Sequence, residues 1–245
     1  MGTLRIADRT KGEETSALAE LREHAAVRFR VALDGAEAAS WTRAVFEARA
    51  KWIADFGGEQ HALGRAFYTH FETGRSAEYF AGAAAANTSV EAVLPGFAGR
   101  MRSLLADLVG GRVVQRHGWC GAGVHVFPVG EKVAARGGVI HYDVEGLAQE
   151  HLRARRAAVT LVLMLQTPVR GGGLRLYDAL YAGEEHASRE DRKAAHVTLT
   201  YDAGDAVLLD AYRLHRIDPF AGARDRVSAT LHAAETSAGV WESWF

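Results

Sequence analysis

The chain has 245 residues, 48% hydrophobic and 24% charged, the balance of one globular domain with a sizeable core. A formal net charge of −1 leaves no basic surplus for nucleic acid, and apolar runs such as residues 159–165 are far too short to span a bilayer. One cysteine, Cys120, excludes an internal disulfide framework. It reads as a buried small hydrophobe and fits a reducing, cytoplasmic setting, and residues 1–11 are charged, with no signal-peptide pattern.

Residues 1–14 read as a polar lead-in. Leu18, Leu21, Ala25 and Phe29 then fall near helical spacing. A second helix is predicted over 40–56, with Ser40 as N-cap, Trp41, Val45, Trp52 and Phe56 on one side, and Gly57-Gly58 as its stop. Helical pieces follow over 60–72 and 77–84. A longer one over 90–108 is interrupted near Pro95-Gly96 and ends at Gly110-Gly111. Residues 1–112 are therefore expected to be a helical N-terminal part.

The texture then changes to short β-like runs at 113–114, 124–127, 139–141, 158–166, 197–201, 206–214 and 226–232, separated by Gly and Pro. A helix is predicted only over 187–193. Seven or eight short strands with turn signals point to a sandwich or barrel. With no linker in view, the reading is one α+β domain over 1–245, with a β-core over 113–235 and a tail over 236–245. Trp241, Trp244 and Phe245 of that tail are expected to pack on the core or on a partner chain. The polar stretch 178–196 reads as a solvated loop or hairpin insertion, or a lid.

The chemistry concentrates on His141-Tyr142-Asp143. On an extended chain, alternate side chains share a face, so His141 and Asp143 form a pair of neighbouring donors for a divalent ion. His215 is the best third donor, because it ends the apolar run 206–214. Two histidines and one carboxylate on one face of an ion is the arrangement of non-haem Fe(II) oxygenases. Arg226 and Ser228 share a face further on. A guanidinium fork with a hydroxyl beside it suits a carboxylate, whereas a plain surface pairing would take Arg226 to Asp225 or Asp218. Arg224 is the rival cation, without a Ser two residues on. Thr230 and His232 continue the Arg226 face and are candidates to line a substrate pocket; His125 is weaker. Thr160 and Gln166 lie on a strand whose facing is not fixed by sequence. Gly171-Gly172-Gly173 is not a phosphate loop, since no Lys-Ser/Thr and no helix follows it.

Taken together, His141-x-Asp143, His215, Arg226-x-Ser228 and the Gly-rich lead into Leu174-Arg175-Leu176-Tyr177 resemble the Fe(II)/2-oxoglutarate-dependent dioxygenases, in their prolyl-hydroxylase-like or free-standing small-molecule branch. The resemblance covers roughly residues 115–235. It implies a double-stranded β-helix (jelly-roll, cupin-like) core with the N-terminal helices packed on one sheet. It implies Fe(II) on His141, Asp143 and His215, 2-oxoglutarate held by Arg226 and Ser228, and O2 as co-substrate. The implied reaction is hydroxylation of an unactivated C–H, with release of succinate and CO2. Related halogenases carry Gly or Ala at the carboxylate position, so Asp143 favours hydroxylation; desaturation or cyclisation remain open. The expected substrate is a free small molecule, an amino acid or a natural-product intermediate. The alternatives are a peptidyl or protein side chain, or a non-catalytic metal-binding β-barrel.

Overall fold

The computed structural model describes residues 4–10, 16–184 and 186–245. Of the expected lead-in, residues 1–3 and 11–14 lie outside the described residues, as does Glu185 of the polar loop. Strand β1 (Ile6–Arg9) and helix α1 (Ala17–Leu21) precede β2 (Ala26–Phe29) and α2 (Gly35–Glu47). The hairpin of β3 (Ile53–Asp55) and β4 (Gln60–Leu63) leads to α3 (Phe67–Glu72), α4 (Ser76–Val93) and α5 (Phe97–Val109). Next come β5 (Arg112–Gln115), β6 (Gly123–Phe127), α6 (Lys132–Arg136), α7 (Gln149–Ala154), β7 (Ala158–Gln166) and β8 (Arg170–Gly171). The chain ends with β9 (Leu174–Leu180), β10 (His196–Leu199), β11 (Ala206–Asp210), β12 (Arg213–Ile217), β13 (Phe220–Ala221), β14 (Arg226–Ser237) and β15 (Val240–Trp244).

Among the described residues the large sheet runs β1-β2-β11-β7-β14-β6-β4-β3, with β15 joined to β14 and to β5. A smaller sheet has the order β10-β9-β12, and β13 pairs with β8. Pairing is antiparallel apart from β1 with β2 and β15 with β5. Each central strand of the large sheet is apolar on both faces or apolar on one and functional on the other. Val227, Ala229, Leu231 and Ala233 of β14 join Val159, Leu161, Leu163 and Leu165 of β7 in one buried cluster, together with Ala38 and Val45 of α2 and Met101 and Leu105 of α5. The opposite face carries Met164, Val207 and Leu209, which pack on Leu174, Leu176 and Leu199 of the small sheet. That same face of β14 presents Arg226, Ser228, Thr230 and His232. No helix among the described residues is long and apolar enough to cross a membrane.

The break expected at Pro95-Gly96 separates α4 from α5, with Gly96 at φ 78°, and α5 stops on left-handed Gly110. The wholly helical reading of residues 1–112 is corrected. Residues 26–29 and 60–63 are strands, because β2 finds β11 in register (Ala206 opposite Phe29) and β4 finds β6 (Ala62 opposite His125). Four residues carry too little local preference to resist a sheet partner. The second helix begins earlier than Ser40, since the Asp34 carboxylate accepts the Glu37 N–H at 2.8 Å and caps Gly35–Glu47. The expected helix over 187–193 shrinks to a single 3-10 turn, Asp191–Lys193, in the loop between β9 and β10. Residues 240–244 of the expected tail are a full strand of the large sheet, with Trp241 and Trp244 completely buried.

Gly123 on β6 shows how tightly this face is filled. A Cβ there would lie 2.0 Å from the Phe245 ring. Gly123→Ala is expected to destabilise by about 1–3 kcal/mol through overpacking, lowering Tm by roughly 2–12 °C in a chain of this size. A thermal melt checks this.

Candidate metal and anion site

His141 and His215 are 74 positions apart and meet through the backbone. Each donates its N–H to the other's carbonyl at 3.0 Å, an isolated antiparallel bridge rather than the ladder strand expected over 139–141. Asp143 is fixed two residues on, its N–H donating to Ala211 O at 2.9 Å. His215 does not end the expected strand 206–214. That run is two strands, because the Tyr212 N–H donates to Asp210 Oδ1 at 2.9 Å and turns the chain from the large sheet into the small one. His215 lies in the middle of β12, facing back across the sandwich.

The result is a cluster of one ligand atom each from His141, Asp143 and His215, all within 4.8 Å of one another. Nε2 of His141 lies 3.4 Å from Asp143 Oδ1, and Nε2 of His215 lies 3.4 Å from Asp143 Oδ2. Nδ1 of His141 faces Val139 O at 2.8 Å, and Nδ1 of His215 faces Arg213 O at 2.9 Å. A carbonyl only accepts, so both Nδ1 atoms carry the proton and both neutral rings turn an Nε2 lone pair toward the carboxylate. Two lone pairs aimed at an anion repel unless a cation lies among them. This is how ligating histidines are oriented in metal sites.

Metal-free, the site answers this with a proton. Burial would lower His141, but its contact with the Asp143 carboxylate and that charge outweigh it and raise it to about 9. Burial pushes His215 down to about 4. Asp143 is raised by burial, yet the charge of His215 and the hydrogen bond of His141 hold it well below the usual carboxylate range. At neutral pH one proton therefore sits on His141, and a divalent ion must displace it. Affinity for a divalent ion is expected to rise about tenfold per pH unit from roughly pH 6 to 8 and to level off once the pH passes the His141 value. Calorimetric titrations at several pH values measure this, and a flat profile would contradict it.

Arg226 is 2% exposed. Its Nε donates to Gly172 O at 3.2 Å, Nη1 to Ser228 Oγ at 3.0 Å, and Nη2 to the Tyr201 hydroxyl. Its plane lies over Phe127, 5.3 Å from the ring centre. No carboxylate pairs with it among the described residues. Asp218 is taken by Arg175 at 2.8 Å, and Asp225 accepts the Val129 N–H. Arg224, the rival cation, is exposed. The glycine run earns its place here: Gly171 and Gly172 both sit at φ 74°, and a Cβ on Gly171 would meet Pro219 O at 2.2 Å. Only glycine delivers the Gly172 carbonyl to the guanidinium. Among the described residues this buried cation is held by neutral groups alone and lacks an opposite charge.

His125 stands opposite Ser228 on β6, 5% exposed, its Nδ1 without a partner. Burial and the charges of His232 and Arg226 push it down to about 3, so it is neutral. Thr230 is buried beside it, and His232 follows on the same face. Sequence reading assigned no role to Thr160, yet its hydroxyl donates to Asp143 Oδ2 at 2.6 Å and lies 3.0 Å from His232 Nδ1. It also passed over Tyr201. The signal was present in the alternation of 197–201, which puts Leu199 and Tyr201 on one face.

No family model matches the sequence, and no curated protein matches it. Solved structures do. The fold is similar, over most of the chain's length, to those of solved Fe(II)/2-oxoglutarate-dependent oxygenases. The carbocyclase SnoK from nogalamycin biosynthesis, described as non-heme and alpha-ketoglutarate dependent, aligns over 91% of this chain and 84% of its own at 16% identity and TM-score 0.59. The epimerase SnoN, solved with Fe3+, alpha-ketoglutarate and nogalamycin RO, aligns over 88% and 81% at 16% identity and TM-score 0.58. An N-substituted L-amino acid dioxygenase from Burkholderia ambifaria AMMD aligns over 94% and 90% at 18% identity and TM-score 0.57.

Proposed function

We propose that the protein is an Fe(II)- and 2-oxoglutarate-dependent dioxygenase that hydroxylates an unactivated C–H of a free small molecule, releasing succinate and CO2. The observation that carries this is the pairing of two sites: an Nε2–carboxylate–Nε2 cluster that needs a cation, and a buried, anion-ready Arg226 on the facing strand of the same sandwich. His141, Asp143 and His215 hold Fe(II) in this reading, and Arg226 with Ser228 holds the far carboxylate of 2-oxoglutarate. When bound, Fe(II) supplies the activation of O2 that couples decarboxylation to substrate oxidation.

The chain's own residues set the conditions. Val139 O and Arg213 O keep both Nε2 atoms unprotonated toward the ion. Met164, Leu174 and Leu176 form a buried apolar cluster between the two sheets, which keeps water out of that part of the sandwich. Neutral His125 and Thr230, together with His232, line the remaining face and are the residues proposed to meet substrate. The scaffold assumed is one domain over 1–245, a jelly roll with its N-terminal helices laid on one sheet. A cytoplasmic setting is supported by the single cysteine, Cys120, buried among Tyr79 and Ala83. The small-molecule class is supported by the nogalamycin enzymes and the amino acid dioxygenase among the structural neighbours. O2 is the remaining co-substrate. A peptidyl side chain is the second choice of substrate.

Purified protein given Fe(II), 2-oxoglutarate and ascorbate is expected to release succinate slowly, and faster with the right compound in a screen of amino acids and small metabolites. His141→Ala and Asp143→Ala are expected to abolish release. Undiminished succinate from either variant would refute the assignment of the iron site to these residues, and a wild type that releases none would return the protein to the non-catalytic barrels.

A further inference from the structure

Thr160 stands directly across the sheet from His232, the two Cα positions being partners in the β7–β14 ladder. Its side chain is 2% exposed and bridges His232 to Asp143. A hydroxyl has one proton to give. Asp143 only accepts when ionised, and a metal ligand must be ionised. The 2.6 Å contact therefore carries the Thr160 proton to Asp143 Oδ2. Sending that proton to His232 instead would leave two oxygens with lone pairs facing each other inside the protein, a buried mismatch that costs about 1–3 kcal/mol or more. Thr160 Oγ1 is thus left as an acceptor, and its 3.0 Å contact with His232 Nδ1 is a hydrogen bond only if Nδ1 carries a proton.

The His232 ring is held in that orientation by a stack. It lies on Trp244 with centroids 6.1 Å apart and planes 27° from parallel. The Arg116 guanidinium covers Trp244 at 4.1 Å and is itself fixed by Gly146 O at 2.6 Å and Glu242 at 3.2 Å. His232 makes no other hydrogen bond among the described residues, and its Nε2 is not enclosed.

We propose that Thr160 and His232 form a positioning chain for the metal carboxylate: Thr160 pins Asp143 through Oδ2, leaving Oδ1 toward the ion, and is itself oriented by His232 in the Nδ1–H form, whose Nε2 then accepts from a donor group of the substrate. This rests on the metal-site reading above and adds to it a substrate feature. The group that meets His232 is a hydroxyl, an amine or an amide N–H. A carboxylate or carbonyl oxygen has no proton to offer there.

Two experiments separate the parts. Co(II) binding to the full chain, followed by its visible absorption and by calorimetry, is expected to weaken by about 10- to 100-fold in Thr160→Val, the range for losing a partner behind the ligands. Thr160→Ser keeps the hydroxyl and is expected to bind as the wild type does. A Thr160→Val protein that melts like wild type and binds Co(II) equally well would overturn the chain while leaving the metal site intact. A wild type that binds no Co(II) at His141, Asp143 and His215 would overturn both. Independently, 15N-histidine NMR of the metal-free protein above pH 7 is expected to show His232 protonated at Nδ1 and bare at Nε2. In Thr160→Val that preference should relax. An Nε2–H tautomer in the wild type would overturn the proposal with no recourse to metal or activity.

Discussion

His215→Ala is expected to lose Fe(II) affinity by at least about 100-fold, the upper end of what removing a mere supporting partner costs. The backbone bridge to His141 does not need the imidazole, since it runs N–H to carbonyl in both directions at 3.0 Å. The fold should therefore survive, and the melting curve of the metal-free variant should stay close to wild type. What is lost is one of three donors, and with it the compensation of Asp143. Asp143→Ala takes away the only anion of the cluster and leaves the Thr160 hydroxyl without its acceptor. It is expected to bind Fe(II) more weakly still. Anaerobic calorimetry with Fe(II) measures both. Wild-type affinity in either variant would place the ion elsewhere.

Arg226→Met is expected to weaken 2-oxoglutarate binding severely while leaving the fold largely unharmed. Removing a buried, hydrogen-bonded charge from its partner costs roughly 2–5 kcal/mol, or about 30- to 5,000-fold in Kd. The effect on the free protein is smaller because two contributions oppose. The guanidinium has no carboxylate partner among the described residues, so deleting it relieves a desolvation cost of several kcal/mol. Against that, Gly172 O, Ser228 Oγ and the Tyr201 hydroxyl lose a partner, at about 1–3 kcal/mol for each group left unsatisfied. The clean readout is ligand stabilisation. At a hundredfold excess over Kd, 2-oxoglutarate should add about 2.7 kcal/mol, or roughly 5–10 °C in Tm, to the wild type loaded with a redox-inert ion. At the same concentration it should add less than about 1 kcal/mol to Arg226→Met, whose Kd is then at least about 30-fold higher. An equal shift in both proteins would remove Arg226 from the anion site.

The site was readable in sequence where period-two alternation and side-chain chemistry coincide. Arg226, Ser228, Thr230 and His232 fall on one face of β14 because Val227, Ala229 and Leu231 claim the other. His141-x-Asp143 named its own geometry, although the chain there is a single bridge rather than a strand. The position of His215 was found by residue type and chain order, while its strand was misdrawn. Nothing local marks Asp210-Ala211-Tyr212 as the point where the chain changes sheets. Thr160 was invisible for a different reason. On a strand apolar on both faces, one threonine has no facing of its own until register sets it opposite His232. The early strands were missed because β2 and β4 are four residues each, long enough to pair and too short to display a period. In each case the missing information was long-range pairing, which composition does not carry.

The central claim is that His141, Asp143 and His215 hold one iron to which 2-oxoglutarate is delivered by Arg226. Anaerobic absorption spectroscopy tests it most directly. Adding 2-oxoglutarate to the Fe(II)-loaded wild type is expected to produce a weak visible charge-transfer band, absent in His215→Ala. Fe(II) and 2-oxoglutarate both bound with no such band, or a band that persists without His215, would contradict the account.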